Sequence, residues 1–196
     1  MKKILIIGAA GQIARVATRE LLARTDSHLT LFARDTHGLP TTPRERITLV
    51  RGDALDPEAV AAAVRGQDLV YVNLSGPLDE AARVIVDAMR AEGVRRLVFV
   101  SSMGIYDEIP GERSGAVLDP YRRAAAVVEG AGLDHTMIRP AWLDDSDEIA
   151  YGTTHRHEPF RNAARTVSRR SVADLLVRIV QDEQLGMRDS LGVHHT

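Results

Sequence analysis

Residues 4–14 read Ile4-Leu5-Ile6-Ile7-Gly8-Ala9-Ala10-Gly11-Gln12-Ile13-Ala14. Four consecutive branched aliphatic residues are the pattern of a short strand buried on both faces. Glycines interrupt the run, and Ile13, Val16, Ala17 and Leu21 then recur at helical spacing. The stretch predicts a strand, a tight turn and a helix. Gly8 permits the turn, Gly11 has no side chain to keep a ligand from the backbone, and Ala14 is small enough for close packing of helix on sheet. The N–H groups of residues 11–13, at the start of a helix, favour an anion. Gly8, Ala10, Gly11, Gln12 and Ile13 are therefore candidates for holding the pyrophosphate of a dinucleotide, a reading that rests on the strand–turn–helix context.

Outward from this stretch the same alternation repeats. Short apolar runs predict strands at Leu29–Phe32, Ile47–Val50, Leu69–Val72, Leu97–Val100 and Thr136–Ile138. Helical patterns separate them. One covers Ala59–Val64 behind Asp56 as N-cap and Pro57 at the first position. Others cover Leu78–Ala91, a segment from an Asp119-Pro120 cap to about Glu129, and Ser171–Gln181. Strand and helix in regular alternation predict an α/β chain with a doubly wound parallel sheet, in one domain over residues 1–196. Residues 103–118 and 144–164 carry no regular pattern and follow strand ends. Open sheets of this class bind ligands at that edge, so 144–164 is expected to be a substrate-side loop.

Composition narrows the chemistry. The chain has 196 residues, is 44% hydrophobic and 27% charged, and contains no cysteine. Thiolate nucleophiles, disulfides and cysteine-based zinc sites are excluded. Of the 25 basic residues only Lys2 and Lys3 are lysines. That excludes Schiff-base chemistry and the phosphate loop that ends in Gly-Lys. A net charge of −2, with arginines spread along the chain, argues against a nucleic-acid partner. No apolar run is long enough for a membrane span, and Gly8 cuts the first run too early for a leader. A cytoplasmic protein, monomeric or homodimeric, is the expectation.

The predicted second strand ends in Arg34-Asp35. An acidic residue there takes the ribose hydroxyls of NAD, whereas an arginine accommodates the phosphate of NADP. Arg34 comes first, which favours NADP(H); Asp35 keeps NAD(H) open.

The chain resembles the short-chain dehydrogenase/reductase superfamily, and within it the small atypical, NmrA-like NAD(P)-binding members with a Rossmann fold. The resemblance rests on an ordered set of motifs. These are Gly8 to Ala14, Gly52-Asp53-Ala54-Leu55, Asn73-Leu74-Ser75-Gly76 and Val100 to Tyr106, then Gly132 to Pro140 and Val172-Ala173-Asp174. It implies that Asp53 and Ala54 contact adenine and that Leu74, Ser75 and Gly76 line the ribose and pyrophosphate path. It also implies that Ser101 and Ser102 lie near the nicotinamide, Ser102 matching the catalytic hydroxyl. Arg139, Pro140, Ala141 and Trp142 should run beside the nicotinamide and begin the substrate wall.

One departure stands out. The superfamily's acid/base pair is Tyr-x-x-x-Lys, and here the matching segment is Tyr121-Arg122-Arg123-Ala124-Ala125. Tyr121 is present, but the lysine position is Ala125. A tyrosine without a neighbouring cation is a poor general base at neutral pH, because phenols ionise near pH 10. Arg122 and Arg123 point elsewhere on a helix and read as a solvated face. Three functions remain. The first is an NAD(P)H-dependent oxidoreductase that reduces a small conjugated acceptor such as a flavin or quinone. The second is an NADP(H)-binding sensor acting on a regulated protein. The third, least favoured, is epimerase or dehydratase chemistry. Tyr106 is an alternative proton donor. His155-Arg156-His157 and the run Asp144 to Glu148 read as solvated loops rather than metal sites. Only 56 residues follow Pro140, so the substrate site should be small or open.

Overall fold

A computed structural model describes residues 1–111 and 115–196. Their order is β1 (Lys3–Ile7), α1 (Gln12–Arg24), β2 (His28–Ala33), β3 (Ile47–Arg51), α2 (Pro57–Val64), β4 (Leu69–Val72), α3 (Leu78–Ala91) and β5 (Arg96–Val100). Then follow α4 (Asp119–Glu129), β6 (Asp134–Pro140), β7 (Leu143–Asp144), β8 (Gly152–Thr154), β9 (Val167–Ser168), α5 (Arg169–Gln181) and β10 (Asp189–His194). The described residues form an eight-stranded sheet in the order β3-β2-β1-β4-β5-β6-β10-β8. All neighbours in it are parallel except β8, which runs antiparallel to β10. The Rossmann fold expected from the sequence is the fold observed.

Strand periodicity divides the core. Along β1, Ile4 and Ile6 pack on one face with α1 and α5, while Leu5 and Ile7 pack on the other with α2 and α3. All four are fully buried, which is why this strand reads as an unbroken apolar run. Asp56 caps α2 as expected, accepting from the N–H groups of Glu58 and Ala59. The expected Asp119 cap does not form. A 3-10 turn at Ala116–Leu118 leads into α4, and Leu118 occupies the cap position without a side-chain bond.

The region after β6 differs most from expectation. Residues 144–164 contain β8, and β10 adds a strand beside β6. The acidic run is exposed over residues 145–148, as expected of a solvated loop, yet its carboxylates have partners. Asp145 pairs with Arg169 (2.9 Å) and Asp147 with Arg170 (3.0 Å), both from the first turn of α5. Asp144 accepts from Thr166 and Ser146, and these bonds hold its pKa down at about 2. Arg122 is no solvated residue: it pairs with Asp107 (2.9 Å) and Asp119 (3.0 Å). Among the described residues no helix is long and apolar enough to cross a membrane, and no group of three or more side chains could hold a metal ion.

His155 ties the end of β8 to the start of β10 through Asp189. The hydrogen bond from Asp189 raises the imidazole pKa above its ordinary value. Burial opposes ionisation of Asp189, yet the bonds from His155 and the Ser190 N–H carry its pKa below the carboxylate range. The raised histidine adds stability that is complete below about pH 6.5 and fades as pH rises through its folded-state pKa. The lowered aspartate adds stability that is lost as pH falls below about 4. A His155→Gln variant should therefore melt below the wild type by the widest margin near about pH 5.5, with the margin shrinking in alkaline buffer. Melting curves across pH check this; a margin independent of pH contradicts it.

Candidate functional site

Strand order reverses between β1 and β4, since the chain runs outward through β2 and β3 on one side and through β5 and β6 on the other. A crevice opens there at the carboxyl ends of the strands. In this protein it is a cavity of about 350 Å³. Its walls are the Gly8–Gly11 turn, the β2 tip with Arg34 and Asp35, Gly52 to Leu55, and Asn73 to Ser75.

Close packing shapes the turn. Gly8 has φ +82°, and a Cβ there would stand 2.1 Å from the carbonyl oxygen of Asn73. A Cβ on Gly11 would stand 2.6 Å from Asn73 Nδ2. Asn73 thus dictates both glycines, a role the sequence alone did not assign. The Gly11 N–H, expected to be available to an anion, already donates to Gly8 O (2.9 Å). The N–H groups of Gln12 and Ile13 sit in the first turn of α1, where intrahelical acceptors are lacking. The Ile13 side chain is core, at 7% exposure.

At the far end of the cavity the carboxylate of Asp35 is turned back on its own loop, accepting from the His37 N–H at 2.9 Å. Arg51, from the end of β3, donates through Nε to the Arg34 carbonyl at 3.1 Å. Arg34 lines the cavity, and the Arg51 side chain is anchored to its backbone. Asp53 Oδ1 accepts from the Leu55 N–H (3.0 Å), a turn role beside its candidate adenine contact. Gly52 lets this turn cross the buried Phe32 ring, since a Cβ would lie 2.6 Å from it. The sequence reading assigned no site role to Arg51, Phe32 or Asn73; only the glycines opposite Phe32 and Asn73 hinted at one.

The cavity lining takes Leu74 and Ser75 but passes from Ser75 to Pro77, so Gly76 turns the chain (φ +96°) instead of lining it. Ser101, Ser102 and Pro140 lie further along the same edge. The β5–β6 register continues past the strands, with Ser101 N–H on Ile138 O (2.7 Å) and Met103 N–H on Pro140 O (3.2 Å). Ser101 is buried, and its Oγ has no hydrogen-bond partner among the described residues. An orphaned hydroxyl at a strand end is the kind of group a ligand atom satisfies. Ser102 Oγ donates to Met103 O at 3.1 Å. Tyr121 is half-buried on the first turn of α4. Ala125, at the lysine position, is 2% exposed and packed in the core. Trp142 is 65% exposed at the same edge.

Tyr106 does not match its expected role as a proton donor. Its hydroxyl donates to Glu129, and the guanidiniums of Arg139 (5.1 Å) and Arg156 (4.8 Å) both lie against its ring. Burial and the Glu129 bond push its pKa up to about 12.

Cleft, glycine turn and strand order together define a dinucleotide-binding α/β protein, and the cradle fits the adenosine diphosphate half of such a cofactor. A family model described as NAD(P)H-binding matches residues 8–183, and the chain belongs to that family as an atypical short-chain dehydrogenase/reductase NAD(P)-binding protein. The structure is similar to a Rossmann-fold NAD(P)-binding family protein from Shigella flexneri. The two are 40% identical over 100% of this chain and 94% of that one, with a TM-score of 0.88. A short-chain dehydrogenase/reductase from Veillonella parvula, solved in complex with NADP, is 30% identical over 99% of this chain and 94% of its own, with a TM-score of 0.89. Cinnamoyl-CoA reductase 2 of Arabidopsis thaliana is 30% identical over 60% of this chain and 40% of its own length. The chain spans about two thirds or less of the curated relatives it matches.

The packing at Gly8 generates a differential test. Alanine at Gly8 must adopt a left-handed conformation, costing about 1–2 kcal/mol, and must also displace the Asn73 backbone. Alanine at Gly38 (φ +73°) meets nothing within 4 Å, so it carries only the conformational cost of about 1 kcal/mol. Urea unfolding of the two variants should show Gly8→Ala clearly less stable. Equal losses would contradict the contact.

Proposed function

We propose that the protein is an NADPH-dependent reductase of a small conjugated acceptor, such as a flavin or quinone. The observation that carries the cofactor preference is the geometry of the β2 tip. Asp35, the residue suited to ribose hydroxyls, is engaged by the His37 N–H, while Arg34 lines the cavity and Arg51 is bonded to the Arg34 carbonyl. A guanidinium at this place suits a 2′-phosphate better than two hydroxyls, and Arg51 stands next to it in the chain's fold. The NADP complex of the Veillonella parvula relative supports this reading.

NADPH, when bound, supplies a hydride. The chain's own residues then have limited work. Gly8, Ala10, Gly11, Gln12 and Ile13 hold the pyrophosphate, Asp53 and Ala54 the adenine, and Leu74 and Ser75 the path between. Ser101 and Pro140 flank the nicotinamide, and Ser102 Oγ or water delivers the proton. Tyr121 is the weaker candidate, because the place of its usual lysine partner is Ala125 in the core. A conjugated acceptor, which delocalises the charge it receives, needs less from an acid than a simple ketone does. The reductases among the curated relatives support a reductive direction.

The same buried Ala125 favours a second reading, an NADP(H)-binding sensor of a regulated protein with little catalysis. Calorimetric titration with NADPH and NADH tests the cofactor claim. NADPH should bind at least about tenfold more tightly, and Arg34→Ala or Arg51→Ala should each cost NADPH about tenfold, about 1.4 kcal/mol, while leaving NADH nearly unchanged. Tighter NADH binding contradicts it. NADPH oxidation with quinones and flavins supports the reductase; tight binding with no turnover supports the sensor.

A further inference from the structure

The turn after β5 is built around a buried carboxylate. Glu108 (side chain 5% exposed) is ion-paired with Arg139, which is fully buried in β6. Glu108 Oε1 also accepts the Gly104 N–H (3.0 Å), and Oε2 accepts the Tyr106 N–H (2.9 Å). Arg139 spends its other donors on Ser190 Oγ (2.9 Å), Ser190 O (3.0 Å) and His155 O (3.3 Å). The chain from Gly104 to Glu108 is thereby wrapped on a charge that β6 and β10 hold in place.

A second guanidinium grips the same turn from α4. Arg122 donates to Ile105 O (3.2 Å) and pairs with Asp107 (2.9 Å). It follows Tyr121 directly in sequence, and Gly104 stands two residues from Ser102. The turn therefore connects the two candidate catalytic hydroxyls, one just after β5 and one on α4. Replacing a buried ion pair by apolar residues is often neutral or stabilising, so core stability alone gives little reason for Glu108 and Arg139. A fixed geometry does.

We infer that Glu108, Arg139 and Arg122 are positioning residues, which clamp the 103–108 turn and so set Ser102 and Tyr121 at the nicotinamide end of the cleft. This rests on the reading of the cleft as a dinucleotide site. In Tyr-x-x-x-Lys relatives the lysine orders the tyrosine's surroundings; here that position is core, and the ordering passes to a clamp that begins one residue after the tyrosine.

The test uses the full chain, two ligands and two variants. One ligand is NADPH, read by the emission gained by its reduced nicotinamide on binding. The other is 2′-phospho-ADP-ribose, which lacks only the nicotinamide and is titrated by calorimetry. Arg122→Ala breaks only partly exposed contacts and should melt close to the wild type. It should bind 2′-phospho-ADP-ribose within about twofold of the wild type, yet lose at least about half of the NADPH emission gain. Arg122→Lys, which keeps the charge, should recover part of it. Glu108→Gln should show the same split with a larger loss of emission. Unchanged emission in both variants would overturn the inference. So would parallel loss of both ligands, which marks a general structural role. A wild type that binds neither ligand would overturn the dinucleotide reading itself, and this inference with it.

Discussion

The two halves of the sheet meet where Gly8 passes the carbonyl of Asn73, and that approach leaves no space for a side chain. β1 and β4 are hydrogen-bonded neighbours, so the turns after them leave the sheet side by side. One must be thin for the other to pass. The requirement falls on Gly8 and Gly11, and its result is a crevice floored by backbone at the head of α1. In dinucleotide-binding folds such glycines also let a pyrophosphate approach the backbone. Packing and ligand binding thus ask for the same residues at this point.

Around that crevice the chain relies on arginine. Arg34 lines one end of the cleft with Arg51 bonded to its carbonyl, and Arg122 and Arg139 hold the turn beyond the other. A planar guanidinium serves several acceptors at once in fixed directions, which a lysine ammonium does less well. Arg139 shows the use: one side chain reaches Glu108, Ser190 and the backbone at His155. The paucity of lysine is therefore compatible with ordered cationic sites, while it leaves Tyr121 without its customary partner.

Much of the fold was legible because β1, β2, β4, β5 and β6 are buried on both faces and read as apolar runs, while the edge strand β3 keeps its Ile47-Thr48-Leu49-Val50 run. β10 was not. Its Leu191 and Val193 enter the core, but Ser190, Gly192 and His194 alternate with them and face Arg139, Thr154 and Phe160. Two apolar residues among polar ones give no strand signal without knowledge of the neighbour. β7 and β9, two residues each, lie below any periodicity. The site was legible in its backbone motifs, since glycine and proline act locally. Its charged geometry was not, because Glu108 and Arg139 are 31 positions apart. The one clue was an arginine in Thr136-Met137-Ile138-Arg139, a charge inside a strand buried on both sides. The ion-pair partners of the exposed 144–148 carboxylates were hidden for the same reason: Arg169 and Arg170 arrive from α5, a distant segment.

Hydrogen–deuterium exchange with and without NADPH tests the central claim most directly. The account predicts slower exchange in the segment 9–14, at the β2 tip around 34–36, at 53–55 and at 73–76, with a second zone at 101–106. Protection confined to the groove between 105–111 and 156–159, with the glycine turn unchanged, would contradict it.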